Sequence, residues 1–418
     1  MRARIAAHRD LNVFISETEE DGEGTVVAVK DLADVRGLPT TAASAVPNDG
    51  PAASDSPVIS RLRSAGCVII GKTNLHEWAC GPTSASSHYG PVRNPHDPTR
   101  VAGGSSGGSA VAVALGMCDW ALGTDTGGSI RIPAALTGVV GIKPTHGLVS
   151  TERVIPFARS LDTVGPLAPS VEAALRALEQ LTGGRYVLGG PPPAWRQLRV
   201  GVPAGWVEDL DEVTATVWDE VAAGLPHVPF PARSRFAAAI LPIMQGEGAA
   251  YHRVRLARHG DLYQPDVRAF MEDALKVTAA EYLEAVDAAA ELRAEVEMAL
   301  TDWDALLLPA TAITAPKIGE DGVREPLTRF TRPFNLTGHP AIAVPIPWAG
   351  PMPAGVQVVG RLHGERALGR VALALEAELK TGRSPGPRES PGRAAERTAA
   401  LRTHRSRRDP RWRAGGGR

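Results

Sequence analysis

The sequence predicts an α/β fold: a single large domain with a central mixed β-sheet covered by helices on both faces. Three observations predict it. Short β-branched apolar runs recur along the chain, VVAVK at 26–30 and CVIIGKT at 67–73 among them. Stretches with helical periodicity separate them, the alternation expected of strand–helix–strand units. The chain has 418 residues, 43% hydrophobic and 22% charged, enough for one large core of ordinary composition.

VVAVK (26–30) reads as a buried strand. SPVISRLRSAG (56–66) places Val58, Ile59, Leu62 and Ala65 on one helical face and closes at Gly66, a C-cap. CVIIGKT (67–73) is the next strand, and NLHEWACG (74–81) a short helix. Residues 82–104, rich in Ser, Pro and Asn, form a long loop. AVAVALGM (110–117) is an apolar helix, DWALGTDT (119–126) a strand running into a Gly-Gly-Ser turn, and VVGIKPT (139–145) a further strand. SVEAALRALEQL (170–181) is an amphipathic helix and LRVGVP (198–203) a strand. Residues 279–300 form a long helix with Leu283, Val286, Ala290 and Leu292 along it. DALLLP (304–309), AIAVPI (341–346) and GVQVVG (355–360) are strands, and ERALGRVALALEAEL (365–379) is the closing helix. The domain is therefore expected to span 1–380. Residues 381–418 carry 11 Arg against Glu389, Glu396 and Asp409, with Leu401 and Trp412 their only sizeable apolar side chains. They are expected to be a disordered, solvated tail.

The net charge of −1 calls for neither a nucleic-acid nor a membrane partner. Cys67, Cys80 and Cys118 form no CxxC and read as reduced thiols, and MRARIAAHRDLN has no apolar signal core. A cytoplasmic enzyme acting on a small molecule is expected, with self-association into a homodimer left open. His88, His96 and His146 lack ligand spacing, and His76 and Glu77, adjacent in sequence, read as structural, so no metal is expected.

Two Gly-rich turns carry the chemistry. VAGGSSGGSAV (101–111) is not a phosphate loop: Gly103 and Gly108 have the spacing, but Ser109 stands where lysine is needed. No GxGxxG opens a helix, so no dinucleotide cofactor is expected. Residues 103–107 do fit GxSxG, the nucleophile elbow, which would need a later acid and histidine such as Asp304 and His339. The second turn, GTDTGGSIRIP (123–133), offers consecutive glycines whose N–H groups can converge beside Ser129. A base for that serine could be Lys30, at the end of an apolar strand where burial favours the neutral amine. Asp125 reads as the acceptor that shapes the turn, and Arg131 as its charge partner.

These segments together resemble the amidase signature family. The likeness is carried by VAVKD (27–31), GKTNLHEWACG (71–81), GGSSGGSA (103–110), GTDTGGSIRIPAALTGVVGIKPTHG (123–147) and SLDTVGPLAPSVEAA (160–174), and returns at NLTGHPAIAVPI (335–346). The resemblance implies a Ser–cis-Ser–Lys set: Lys30 as general base, Ser105 on a cis peptide as proton relay, and Ser129 as nucleophile. It places the oxyanion hole in the backbone N–H groups of Thr126, Gly127, Gly128 and Ser129. It also implies amide C–N hydrolysis without a cofactor. Ile132, where the amidase chain of the glutamyl-tRNA amidotransferase typically has Gln, points toward free-standing amidases. An amidotransferase subunit with partner chains, and a non-catalytic scaffold of the same fold, are the alternatives. The short stretch before Lys30 implies a reduced N-terminal helical layer. Specificity is expected from 238–252 and from 311–334.

Overall fold

The computed structural model describes residues 1–185, 191–347 and 349–381; residues 382–418 of the predicted tail lie outside them. A short helix, α1 (Arg2–Ala7), precedes β1 (Phe14–Glu17) and β2 (Val26–Lys30). α2 (Pro57–Ser64) leads to β3 (Val68–Thr73), α3 (Gly107–Ala114) to β4 (Trp120–Asp125), and α4 (Arg131–Thr137) to β5 (Val140–Lys143). β6 (Thr163–Ala168), α5 (Val171–Thr182), β7 (Val200–Pro203), α6 (Glu212–Ala222) and β8 (His227–Val228) follow. A helical block comes next: α7 (Arg233–His259), α8 (Pro265–Ala274) and α9 (Ala279–Ala299). The chain then runs through β9 (Ala305–Pro309), α10 (Arg324–Thr328), α11 (Arg332–Leu336), β10 (Ala341–Pro345), β11 (Gly355–Val359) and α12 (Glu365–Lys380).

All eleven described strands join one sheet in the order β1-β3-β2-β4-β6-β5-β10-β11-β9-β7-β8. β2 runs parallel to both β3 and β4, whereas β4, β6, β5, β10, β11 and β9 pair antiparallel in turn, so the sheet is mixed.

Strand alternation sets the layers. On β2, Val27 and Val29 join a core with Ile59 and Leu62 of α2 and Leu178 of α5. Ala28 between them joins a second core with Ala110 and Val111 of α3 and Ala134 of α4. β4 repeats the pattern, with Trp120 and Leu122 on the first face and Ala121 on the second. Helices therefore cover both faces. Each large apolar side chain buried in this way stabilises by roughly 1.5–3 kcal/mol. The alanine-rich second face lets α3 lie close to the sheet, which brings the Gly/Ser turn before it near the strand ends.

Four elements differ from the expectation. NLHEWACG forms a single 3-10 turn, Glu77–Ala79, with Trp78 at φ 53°. Its partners hold it: Trp78 packs on His252 and Tyr263, and Glu77 accepts from Ser44 Oγ at 2.6 Å. α3 begins inside the Gly/Ser run, at Gly107. SLDTVGPLAPS holds β6, whose Gly165 and Pro166 read as turn residues in isolation. α9 buries Ala285, Leu292 and Val296, while Leu283 is 60% exposed.

Candidate active site

Three chain segments meet at the C-terminal ends of two inner strands of the sheet. β2 and β4 are parallel neighbours, so their C-terminal ends lie side by side. β2 ends in Lys30, β4 runs into the turn holding Ser129, and the turn entering α3 supplies Ser105. Lys30 Nζ donates to Ser105 Oγ at 2.7 Å and to Thr124 Oγ1 at 2.8 Å. Lys30 and Ser105 are inaccessible to solvent. Burial pulls the lysine from 10.5 down to about 7, against the opposing charges of Asp125 and Asp162. Near neutral pH this amine can take up a proton, which an exposed lysine cannot.

The Gly104–Ser105 peptide is cis. A Cβ on Gly104 would stand 2.7 Å from Ser84 N, so only glycine fits there. The Ser105 carbonyl accepts from His76 N and Ser84 Oγ, each at 3.2 Å. Ser106 N donates to Ser129 O at 3.1 Å, which ties the two Gly-rich turns together. Ser105 and Ser129 are thus neighbours through the backbone. Among the described residues no hydrogen bond joins their two hydroxyls.

Asp125 shapes the second turn. It accepts from Gly128 N at 2.7 Å, Ile130 N at 3.2 Å, and Arg131 Nε and Nη2 at 3.0 Å each. Burial opposes its ionisation, yet the Arg131 guanidinium holds its carboxyl well below the usual carboxylate range. Gly128 adopts φ +124°, and a Cβ there would meet Ile132 Cδ1 at 2.7 Å. One of the four donors implied for the oxyanion is therefore committed: the Gly128 N–H belongs to Asp125. The N–H groups of Gly127 and Ser129 have no protein acceptor among the described residues. Both residues, with Thr126, line a pocket closed by Phe157, Met244 and Ile132. Thr126 Oγ1 donates to Asp162 Oδ1 at 2.5 Å; burial pushes that carboxyl up to about 6 despite this bond.

The elbow alternative finds no triad. His339 is buried against Glu297 at 2.9 Å and Thr337 at 2.8 Å, while Asp304 faces Arg199. His76 bonds Asp266 and Thr83, and Glu77 bonds Ser44 and Gln264 N, so both brace the loop between β3 and α3. No group of three or more His, Cys, Asp or Glu that could hold a metal occurs among the described residues, and none of their helices is long and apolar enough to cross a membrane.

Sequence reasoning did not single out Thr124, Asp162, Arg324 or Arg332. Thr124 sits one residue before the recognised Asp125, and Asp162 lies inside SLDTVGP, so a local signal existed for both. Arg324 and Arg332 reach the Ser129 pocket from the 311–334 segment, and Met244 reaches it from 238–252. Those were the two regions expected to set specificity.

Residues 22–368 match the family model described as Amidase. A 1-carboxybiuret hydrolase subunit from Pseudomonas sp. (strain ADP) is 37% identical over 84% of this chain and 83% of its own. A glutamyl-tRNA(Gln) amidotransferase chain from Halobacterium salinarum is 34% identical over 88% of this chain and 99% of its own. A crystal structure of an amidase superposes with a TM-score of 0.83 at 36% identity, covering 90% of this chain and 94% of that one. The two kinds of relative match at nearly equal identity.

Proposed function

The chain belongs to the amidase family, and on that premise we propose that it hydrolyses a carboxamide C–N bond through an acyl-enzyme on Ser129. The observation that carries this reading is the 2.7 Å contact between the buried Lys30 amine and Ser105 Oγ, beside a Gly-Gly-Ser turn with unpaired N–H groups. Neutral Lys30 takes the Ser105 proton as Ser105 takes that of Ser129. Ser129 Oγ then bonds the carbonyl carbon, and the carbonyl π pair moves onto oxygen. The N–H groups of Gly127 and Ser129 stabilise that oxyanion, with Thr126 beside them. Collapse breaks the C–N bond, and the amine leaves with the proton stored on Lys30, returned through Ser105. Water repeats the sequence to release the acid.

A fluorophosphonate probe tests the assignment. It is expected to modify Ser129 and to leave Ser129→Ala protein unlabelled, with amide turnover down by roughly 10³-fold or more in that variant. Labelling elsewhere, or full turnover by the variant, would refute it. A second reading, a chain that works only with partner chains, is favoured by the match along 99% of the amidotransferase relative. Amide hydrolysis by the isolated chain would rule against it.

A further inference from the structure

Phe157, Met244 and Ile132 give the Ser129 pocket its apolar walls, and Arg324 and Arg332 give it charge; no carboxylate lines it among the described residues. Arg324 is partly engaged: it donates to Cys80 O at 3.0 Å and lies 5.4 Å from the Phe270 ring centroid. Arg332 is not. Its Nε is buried without a hydrogen-bond partner. It lies over the Gly-Gly-Ser turn, since a Cβ on Gly127 would stand 3.3 Å from Arg332 Cγ and 3.7 Å from its Nε. Past Thr328 and Arg332, which border both spaces, a second cavity of about 320 Å³ opens against Arg233, Arg329 and Glu325. Glu325 is ion-paired to Arg329 at 2.6 Å, and its charge reaches Arg332 only from farther off. Burial and the neighbouring Arg324 bring the Arg332 guanidinium down to about 10, so it remains a cation at neutral pH.

A guanidinium donor shut away from solvent with no acceptor, as the Arg332 Nε is among the described residues, is unfavourable unless something supplies one. A guanidinium matches a carboxylate in shape and donor spacing. Building on the amide-hydrolase reading above, we propose that Arg332 makes this site selective for amides that carry a carboxylate a short chain away from the scissile carbonyl. That carboxylate sits on either the acyl side or the amine side of the bond. Arg332 is then a specificity residue, and the second cavity holds the remainder of the substrate.

Two substrate pairs test this in the full chain. Succinamic acid against butyramide places the charge on the acyl side; N-acetylglycine against N-ethylacetamide places it on the amine side. The charged member of one pair is expected to be favoured by about 10- to 100-fold in kcat/KM, mostly through KM, as for a hydrogen bond to a charged group. The pair that responds identifies the side. Arg332→Met is expected to collapse that ratio, and Arg332→Lys, which keeps the charge, to retain part of it. Turnover of the neutral member reports that each variant is folded. No preference in either pair would overturn the proposal. So would an equal loss on charged and neutral substrates, which a role on the oxyanion predicts. Titration of succinate onto Ser129→Ala protein separates this inference from the reaction itself. Binding that disappears in Ser129→Ala/Arg332→Met supports the carboxylate site even if no amide is hydrolysed. Hydrolysis without discrimination overturns the site and leaves the reaction standing.

Discussion

Lys30 on β2 and Lys72 on β3 lie one register position apart, and neither has solvent access. Lys72 meets the Asp31 carboxylate at 2.7 Å, and Asp31 also accepts from Thr41 N at 2.9 Å. That lysine joins the sheet to the loop after β2. Among the described residues Lys30 hydrogen-bonds the hydroxyls of Ser105 and Thr124, and the charges of Asp125 and Asp162 act on it only from farther off. Burial is shared; the adjacent carboxylate is not. A buried lysine with an adjacent carboxylate is held in an ion pair, whereas one surrounded by hydroxyls is free to give up its proton. Lys143 on β5 refines the lesson. Burial brings it to about 7 as well, but its amine donates to the Pro144 carbonyl at 2.9 Å, and among the described residues no hydroxyl hydrogen-bonds it.

The strongest break in this comparison is Lys30→Met. It is expected to lower kcat/KM for an amide by roughly 10³- to 10⁴-fold, the usual worth of a positioned base, with little loss of stability. Steady-state kinetics and a thermal melt check both halves. Lys72→Met should do the reverse. It leaves the Asp31 carboxylate buried without its cation and is expected to destabilise by about 3–5 kcal/mol in urea unfolding, while the protein that remains folded still turns over.

The pH dependence sharpens the contrast between Lys30 and Lys143. kcat/KM is expected to rise with an apparent pKa of about 7 as Lys30 loses its proton, and Lys143→Met should leave that limb in place. Both lysines titrate near 7 when folded and at 10.5 as ordinary amines, so the unfolded chain binds more protons between those values. Stability through these groups therefore rises with pH across that window, and either Lys→Met change reduces the slope. Unfolding free energies at pH 7 and 10 measure it. The smallest effect is expected from Thr124→Val, which removes one acceptor from Lys30: about tenfold in kcat/KM.

Much of this site was legible. A β-branched run ending in Lys30 and two Gly/Ser turns of distinctive spelling mark the three chain segments that meet. The sheet was legible where apolar runs were short and bounded. In the helical block α9 was legible as 279–300, but α7 and α8 were not. α7 contains Pro242 and Gly246, which read as breakers, yet packing against its neighbours carries the helix through them. On α9 the sequence marked Leu283, Val286, Ala290 and Leu292, whereas the buried positions are Ala285, Leu292 and Val296. A Cβ on Gly246 of α7 would stand 3.0 Å from Tyr282 of α9, so that glycine lets the two helices approach closely.

By itself the sequence determined the fold class, the family and the residue types that could perform the chemistry, because strand periodicity and turn spelling are local properties. Only the tertiary structure decided which groups are paired. It gave Asp31 to Lys72, the Gly128 amide to Asp125, and no acceptor to the Arg332 Nε. Hydrogen bonding and desolvation depend on neighbours brought from distant positions, as Arg332 is to the turn at Gly127. Local spelling carries no record of that meeting.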